Sequence, residues 1–271
     1  MKTQKNAEGA GIRGTRESRW TFALARLALS LGVMMLLASA AQGQWTITKL
    51  TNNRYTELSP QVSGLNVVWY GYESEGSDLE IFLYDGSAIK QITNNSYHDY
   101  YPQVSGSTVV WYGAAGNYNT YEIFRYDGST ITQLTNNIYS DKNPQVSGST
   151  VVWYGYDGHD YEIFHYDGST ITKLTDNSND DWYPDVSGST VVWYGSDGYD
   201  DEIFLYDGST ITQLTNTSGD DQNPQISGST VAWRGREGDF GDWDIFMATP
   251  EPATLSLLAL GGLAVIWRRR R

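Results

Sequence analysis

The sequence predicts an all-β fold, a five-bladed β-propeller of four-stranded blades, and three observations predict it. The first is a repeat. Pro144–Gly155 reads Pro-Gln-Val-Ser-Gly-Ser-Thr-Val-Val-Trp-Tyr-Gly and returns, slightly varied, at Pro60–Gly71, Pro102–Gly113, Pro184–Gly195 and Pro224–Gly235. Its tryptophans, Trp69, Trp111, Trp153, Trp193 and Trp233, are spaced by 42, 42, 40 and 40 residues, a period typical of solenoids, propellers and arrays. The second is that each unit carries four short strand patterns and no helical periodicity, which is the content of one propeller blade. The third is a phase shift between the two ends of the array.

Within one unit, Pro144–Ser147 reads as an inner strand and Gly148-Ser149 as a tight turn. Thr150–Tyr154 is apolar on both sides of its alternation, as in a strand buried on both faces. Tyr161–Tyr166 is the third strand, Asp167-Gly168 supplies hairpin-turn chemistry, and Thr170–Thr175 alternates as the fourth. The fourth-strand pattern occurs at Trp45–Thr51, Ala88–Thr93, Thr130–Thr135, Thr170–Thr175 and Thr210–Thr215. The array thus begins with an orphan fourth strand and ends, at Asp244–Met247, with an orphan third. Pairing the two predicts a closing blade shared by the N- and C-terminal strands, which removes an exposed sheet edge.

Three segments follow: a signal peptide over residues 1–43, the propeller over 44–249, and a sorting tail over 250–271. The head has a basic n-region (Lys2, Lys5, Arg13, Arg16, Arg19, Arg26), the apolar run Leu27–Ala38, and small residues suited to cleavage after Ala40 or Gly43. The translocon and signal peptidase are its expected partners. The tail reads Pro250-Glu251-Pro252, then apolar Ala253–Trp267, then Arg268, Arg269, Arg270 and Arg271. Fifteen helical residues span about 22 Å, short of a hydrocarbon core of roughly 30 Å, so a marginal and temporary transmembrane helix is expected. Basic residues at both ends favour the cytoplasmic side and place the acidic middle outside. This tail resembles the PEP-CTERM sorting signal. The resemblance implies recognition by an exosortase, removal of the tail near Pro250–Pro252, and release or attachment at the cell surface, often in bacteria that produce exopolysaccharide and biofilm.

The repeat itself, with its Leu-Thr, polar loop, Pro, Ser-Gly turn, Val-Val-Trp, Asp-Gly loop and Glu-Ile-Phe, is similar to TolB-type propeller repeats throughout Trp45–Met247. It departs from them in its short Ser-Gly turn and in having five blades, so TolB's partners do not transfer with the resemblance.

Between Trp45 and Thr249 stand eight Lys and Arg against 29 Asp and Glu, a net charge of −21. Such a surface repels phosphate backbones and excludes nucleic acid as a partner. No cysteine is present, so disulfides and thiolate metal sites are excluded. Three residues before each repeat proline stands a carboxylate: Glu57, Asp99, Asp141, Asp181 and Asp221. Two readings of this set are open. As a ring at the mouth of the central channel, the five would bind a cation or another ligand. As inter-blade loop holders, they would accept backbone N–H bonds.

A second set, Glu80, Glu122, Glu162, Glu202 and Asp244, opens the third strands and reads as structural. Acidic loops at Glu73–Asp78, Ala114–Thr120, Asp157–Asp160, Asp197–Asp201 and Glu237–Asp242 offer hard oxygen ligands that suit calcium, but they lack EF-hand spacing and read first as solvated turns. The in-phase tryptophans read as core. Aromatics outside the repeat's phase, namely Tyr97, Tyr100, Tyr118, Tyr139, Trp182, Tyr199, Phe240 and Trp243, are the better candidates for sugar stacking.

Catalysis finds little support. His98, His159 and His165 occupy three different phases of the repeat, and the acids come as near-identical sets rather than the asymmetric pair that acid–base work needs. The expected function is an exported, surface-associated, non-catalytic binding or matrix protein that needs no cofactor, engaging polysaccharide or a surface protein. A glycan-active hydrolase and a ligand-free spacer are the alternatives.

Overall fold

A computed structural model describes residues 46–115, 120–238 and 241–251. The signal peptide, Pro252, the apolar tail helix and the terminal arginines lie outside the described residues. The chain divides into two units, Met1–Lys49 and Leu50–Arg271, and all the sheets belong to the second. Every regular element described is a β-strand.

The first sheet consists of β1 (Glu57–Ser63), β2 (Asn66–Tyr72), β3 (Leu79–Tyr84) and β4 (Ile89–Gln91), hydrogen-bonded in that order. The second is β5 (Asp99–Ser105), β6 (Thr108–Ala114), β7 (Tyr121–Tyr126) and β8 (Ile131–Gln133). The third is β9 (Asp141–Ser147), β10 (Thr150–Tyr156), β11 (Tyr161–Tyr166) and β12 (Ile171–Lys173). The fourth is β13 (Asp181–Ser187), β14 (Thr190–Ser196), β15 (Asp201–Tyr206) and β16 (Ile211–Gln213). The fifth has three strands, β17 (Asp221–Ser227), β18 (Thr230–Arg236) and β19 (Trp243–Ala248). All pairings are antiparallel, and β10 meets β11 in the register Trp153↔Phe164. Five propeller blades are therefore present, in the predicted strand order.

Neighbouring blades share their cores. Val68 and Ile81 of the first pack with Val109 and Trp111 of the second, and Val152 and Ile163 of the third pack with Val191 and Trp193 of the fourth. Each tryptophan also stacks on its own blade's phenylalanine, as Trp153 does on Phe164 at 5.9 Å and 10°. Backbone polarity is used at the same junctions. The turn glycine of each later blade donates its N–H to the preceding blade's serine hydroxyl: Gly106 to Ser63, Gly148 to Ser105, Gly188 to Ser147 and Gly228 to Ser187, all at 2.9–3.0 Å. The first strands of successive blades lie against one another and form the inner layer, whereas the fourth strands are outermost.

One expectation needs correction. The inner strands start at the carboxylate, not at the proline, because a β-bulge carries the proline inside the strand. In β9 the register slips between Lys142↔Tyr154 and Gln145↔Val152. Proline is tolerated there because the first strand is an edge strand of its sheet and the missing N–H breaks no ladder. The N-terminal strand expected to share the closing blade begins at Trp45, outside the described residues; residues 46–51 are in no strand, and the fifth sheet as described holds β17, β18 and β19. Ile245 on β19 is 81% exposed, whereas its equivalents Ile81, Ile123, Ile163 and Ile203 are completely buried by the blade that follows each of them.

Candidate functional site

The five carboxylates ahead of the prolines are placed one per blade, and four of them are shut inside. Asp99, Asp141, Asp181 and Asp221 are 2–3% exposed. Each accepts a bond from its own blade's indole: Trp111 Nε1 to Asp99 at 2.9 Å, Trp153 to Asp141 at 3.0 Å, Trp193 to Asp181 at 2.9 Å and Trp233 to Asp221 at 2.8 Å. In three of them the second oxygen takes a side-chain amide from the preceding loop, as Asn137 Nδ2 donates to Asp141 Oδ2 at 2.7 Å, and Asp221 Oδ2 takes the Thr217 hydroxyl at 3.4 Å instead. The glycine two residues past each tryptophan makes room for this carboxylate. A Cβ on Gly155 would lie 2.0 Å from Asp141 Oδ1.

Across the junction the second acidic set completes the lock. Glu122 accepts the Asn137 backbone N–H at 3.1 Å and the Thr135 hydroxyl at 2.6 Å, and Thr135 Oγ1 in turn accepts the Ile123 N–H at 2.9 Å. Glu162 and Glu202 likewise accept backbone N–H groups from Asn177 and Thr217. Burial penalises the charged forms, pushing Asp99 and Asp141 up to about 6 and Asp181 and Glu80 up to about 7. The first blade departs from this pattern. Glu57 accepts Asn53 Nδ2 at 2.7 Å, yet Glu57 Oε2 and Trp69 Nε1 are buried without a partner.

No three of these five carboxylates come together among the described residues. The carboxylate groups that do converge combine hairpin-loop aspartates with the glutamate near the start of the third strand, and in one case with Asp176 of the inter-blade connection. Asp157, Glu162 and Asp176 surround Lys173 Nζ, which is 2.8 Å from Asp157 and also bonds Asp176. Their cation is already supplied. In the group Asp197, Asp200 and Glu202, Asp197 accepts the Tyr199 N–H at 2.9 Å, and Glu202 accepts the Thr215 hydroxyl and the Thr217 N–H. The histidines stay apart in role as well as in phase. His98 Nδ1 accepts the Leu79 N–H at 2.9 Å across a blade junction, and burial lowers the pKa of His165.

The bulge in each inner strand creates a different feature. The residue immediately before the repeat proline is left-handed in all five blades: Ser59 (φ 46°), Tyr101 (47°), Asn143 (51°), Tyr183 (48°) and Asn223 (53°). Asparagine is at ease in this region and a bulky aromatic is not. Tyr101 and Tyr183 nevertheless stand there, 47% and 46% exposed. Tyr183 stacks on Tyr194 at 6.0 Å and 7° and leans on Tyr154 at 5.6 Å.

Beside Tyr183 opens a cavity of about 770 Å³, lined also by Gln145, Asp185, Tyr194, Asn223 and Arg234. Its shape follows from the inner strands of the third to fifth blades. Asp185 replaces the glutamine found at this position in the other four units. Its two oxygens accept the N–H groups of Val186 at 2.9 Å and Ile226 at 2.8 Å, and burial raises its pKa. Arg234 lies over the Trp243 ring at 4.3 Å and donates to Gln222 Oε1 at 2.7 Å. Burial pushes the Tyr194 hydroxyl up to about 12, so it remains a neutral donor and acceptor at ordinary pH. The cavity therefore offers aromatic faces, side-chain amides, a hydroxyl and one guanidinium.

Of the aromatics singled out in the sequence, Trp243 joins this cavity's edge through Arg234. Tyr100 and Trp182 are half-buried and pack edge-on against Tyr70 and Tyr154, and Tyr139 packs against Tyr156. Tyr199 is 96% exposed, and Tyr118 and Phe240 lie outside the described residues. Tyr101 and Tyr183 were not singled out. The available signal was asparagine at two of the five pre-proline positions, the residue type that marks a left-handed backbone.

Comparison with known proteins adds two findings. Residues 248–271 match the PEP-CTERM protein-sorting motif. Among solved structures, a putative TolB from Agrobacterium tumefaciens is 16% identical with a TM-score of 0.51, over 74% of this chain and 79% of that one. TolB from Acinetobacter baumannii is 19% identical with a TM-score of 0.49, over 74% and 56%. A structure from a study of two prolyl endopeptidases is 11% identical with a TM-score of 0.55, over 71% of this chain and 32% of that one, about a third of its length. These likenesses are of fold. A search of curated protein sequences finds no match.

Proposed function

We propose that this exported, exosortase-processed propeller is a non-catalytic carbohydrate-binding protein of the cell surface, with the cavity at Tyr183 as its sugar site. The observation that carries the reading is the left-handed Tyr183. Its backbone favours asparagine, its ring is half exposed, and it stands over a cavity whose lining alternates aromatic faces with amides. Residues held in unfavourable backbone regions cluster at functional sites. The repeat region's charge of −21 favours a neutral glycan over a polyanion.

Hydrolysis is disfavoured by the lining, where Asp185 is the one carboxylate among the described residues. Glycoside hydrolases of the usual kind need a pair. Export supports the same reading, since the sorting motif implies processing by an exosortase at the membrane. Calcium at the five junction carboxylates is disfavoured by their placement on separate blades and by the burial and indole donors of four of them, and a thermal melt with and without chelator tests it.

The test is calorimetric titration of the full-length protein with the neutral disaccharides cellobiose and chitobiose. Binding of at least one is expected, and Tyr183→Asn should weaken it by about tenfold, roughly 1.4 kcal/mol. Release of monosaccharide from either sugar would support the hydrolase instead.

A further inference from the structure

The Tyr183 arrangement is built twice. At the junction of the first two blades, Tyr101 stacks on Tyr112 at 5.9 Å and 18° and leans on Tyr70 at 5.4 Å and 52°. At the junction of the third and fourth, Tyr183 stacks on Tyr194 at 6.0 Å and 7° and leans on Tyr154 at 5.6 Å and 51°. Both central rings are left-handed and nearly equally exposed. The two triplets are one blade apart: the inner strands β5 and β13 both lie against β9, where Asn143 holds the equivalent left-handed place.

Packing does not call for these rings. Asn143 and Asn223 hold the same bulge at the same φ without them. A tyrosine there is an unfavourable choice for the backbone, made at two of five equivalent places and leaving both rings open to solvent.

We propose that Tyr101 and Tyr183, exposed at equivalent places on either side of Asn143 and backed by Tyr112 and Tyr194, form a strip of two stacking platforms that binds an extended, neutral polysaccharide chain. The inference rests on the carbohydrate reading above and extends it from a sugar to a polymer. Two platforms engaging one chain turn the second contact into an intramolecular event, so affinity rises with ligand length once both are spanned. A single platform gives no such dependence.

The experiment is calorimetric titration of the full-length protein with β-1,4-linked glucose and N-acetylglucosamine oligomers, from disaccharide to hexamer. The hexamer of the series that binds is expected to bind more tightly than its disaccharide by on the order of tenfold or more. Tyr101→Asn should bring hexamer affinity down towards that of the disaccharide and leave the disaccharide unchanged. Tyr183→Asn should weaken both. Because asparagine already occupies this position in two blades, both variants should melt within a few degrees of the parent, and Tyr101→Phe should keep most of the hexamer affinity.

Equal affinity for disaccharide and hexamer, or a Tyr101→Asn variant that binds hexamer like the parent, would overturn the strip and leave the single cavity standing. Failure of every oligomer to bind the parent protein would overturn the carbohydrate reading itself, and the strip with it.

Discussion

The first blade's junction is the place where one residue decides a buried hydrogen bond. In four blades an aspartate accepts the indole N–H, but in the first a glutamate stands there and Trp69 Nε1 has no partner. A buried donor left unmade costs about 1–3 kcal/mol. Glu57→Asp reproduces the geometry of the other blades and is expected to raise the melting temperature by roughly 2–4 °C per kcal/mol gained. An unchanged or lower melting temperature would mean that Asn53 Nδ2, now bound to Glu57, matters more. The reverse holds at Gly155, where a Cβ would stand 2.0 Å from Asp141 Oδ1. Gly155→Ala must displace a buried carboxylate and is expected to cost several kcal/mol, on the order of the largest single-site effects. The carboxylates were legible in sequence as a set, and their loop-holding role was one of the two readings open. That Trp and Gly complete the lock was not legible, since both lie on other strands. Nor was the exposed face of Tyr183, because the bulge that turns it outward is a property of register.

At the scale of the element, repetition turns burial into a comparison between equivalent residues. Ile163 is completely buried beneath the fourth blade, and Ile245, at the same place on β19, is 81% exposed. Removing a fully buried isoleucine costs about 2–5 kcal/mol, and removing an exposed one almost nothing. Ile163→Ala is therefore expected to lower the denaturation midpoint markedly, with Ile245→Ala nearly silent. Equal losses would mean that another surface covers this face of β19 in solution, as the following blade covers Ile163. Strand content, turn positions and blade count were legible because each depends on a local pattern repeated five times. The inner strands' true start was not legible. Proline usually opens a strand, and only the bulge shows how Pro144 sits inside one.

For the whole molecule, the repeated junctions place an unusual number of carboxylates in the interior, and this gives stability a pH dependence of definite sign. In the folded chain Asp99 and Asp141 titrate at about 6, and Asp181 and Glu80 at about 7, because burial penalises their ionised forms. Unfolded, such groups titrate at about 4. Between these limits the folded chain holds more protons than the unfolded one, so stability rises as pH falls from about 7 towards 4–5. Below that the turn aspartates act in the opposite direction. Hydrogen bonds from Thr130 and Thr170 hold Asp127 and Asp167 at about 2, as Lys173 holds Asp157, and their contribution is lost as they protonate. The urea midpoint should therefore be higher at pH 5 than at pH 8. The chain's formal charge of −14 pushes in the same direction, since acid relieves self-repulsion. Salt separates the two causes. At about 1 M salt the screening length is about 3 Å, which removes surface repulsion and leaves buried sites nearly untouched. A slope that survives in high salt, and that Asp181→Asn makes shallower, assigns the effect to the junctions. A midpoint independent of pH in high salt would mean that these carboxylates stay ionised inside the protein, stabilised by the indole and amide donors around them.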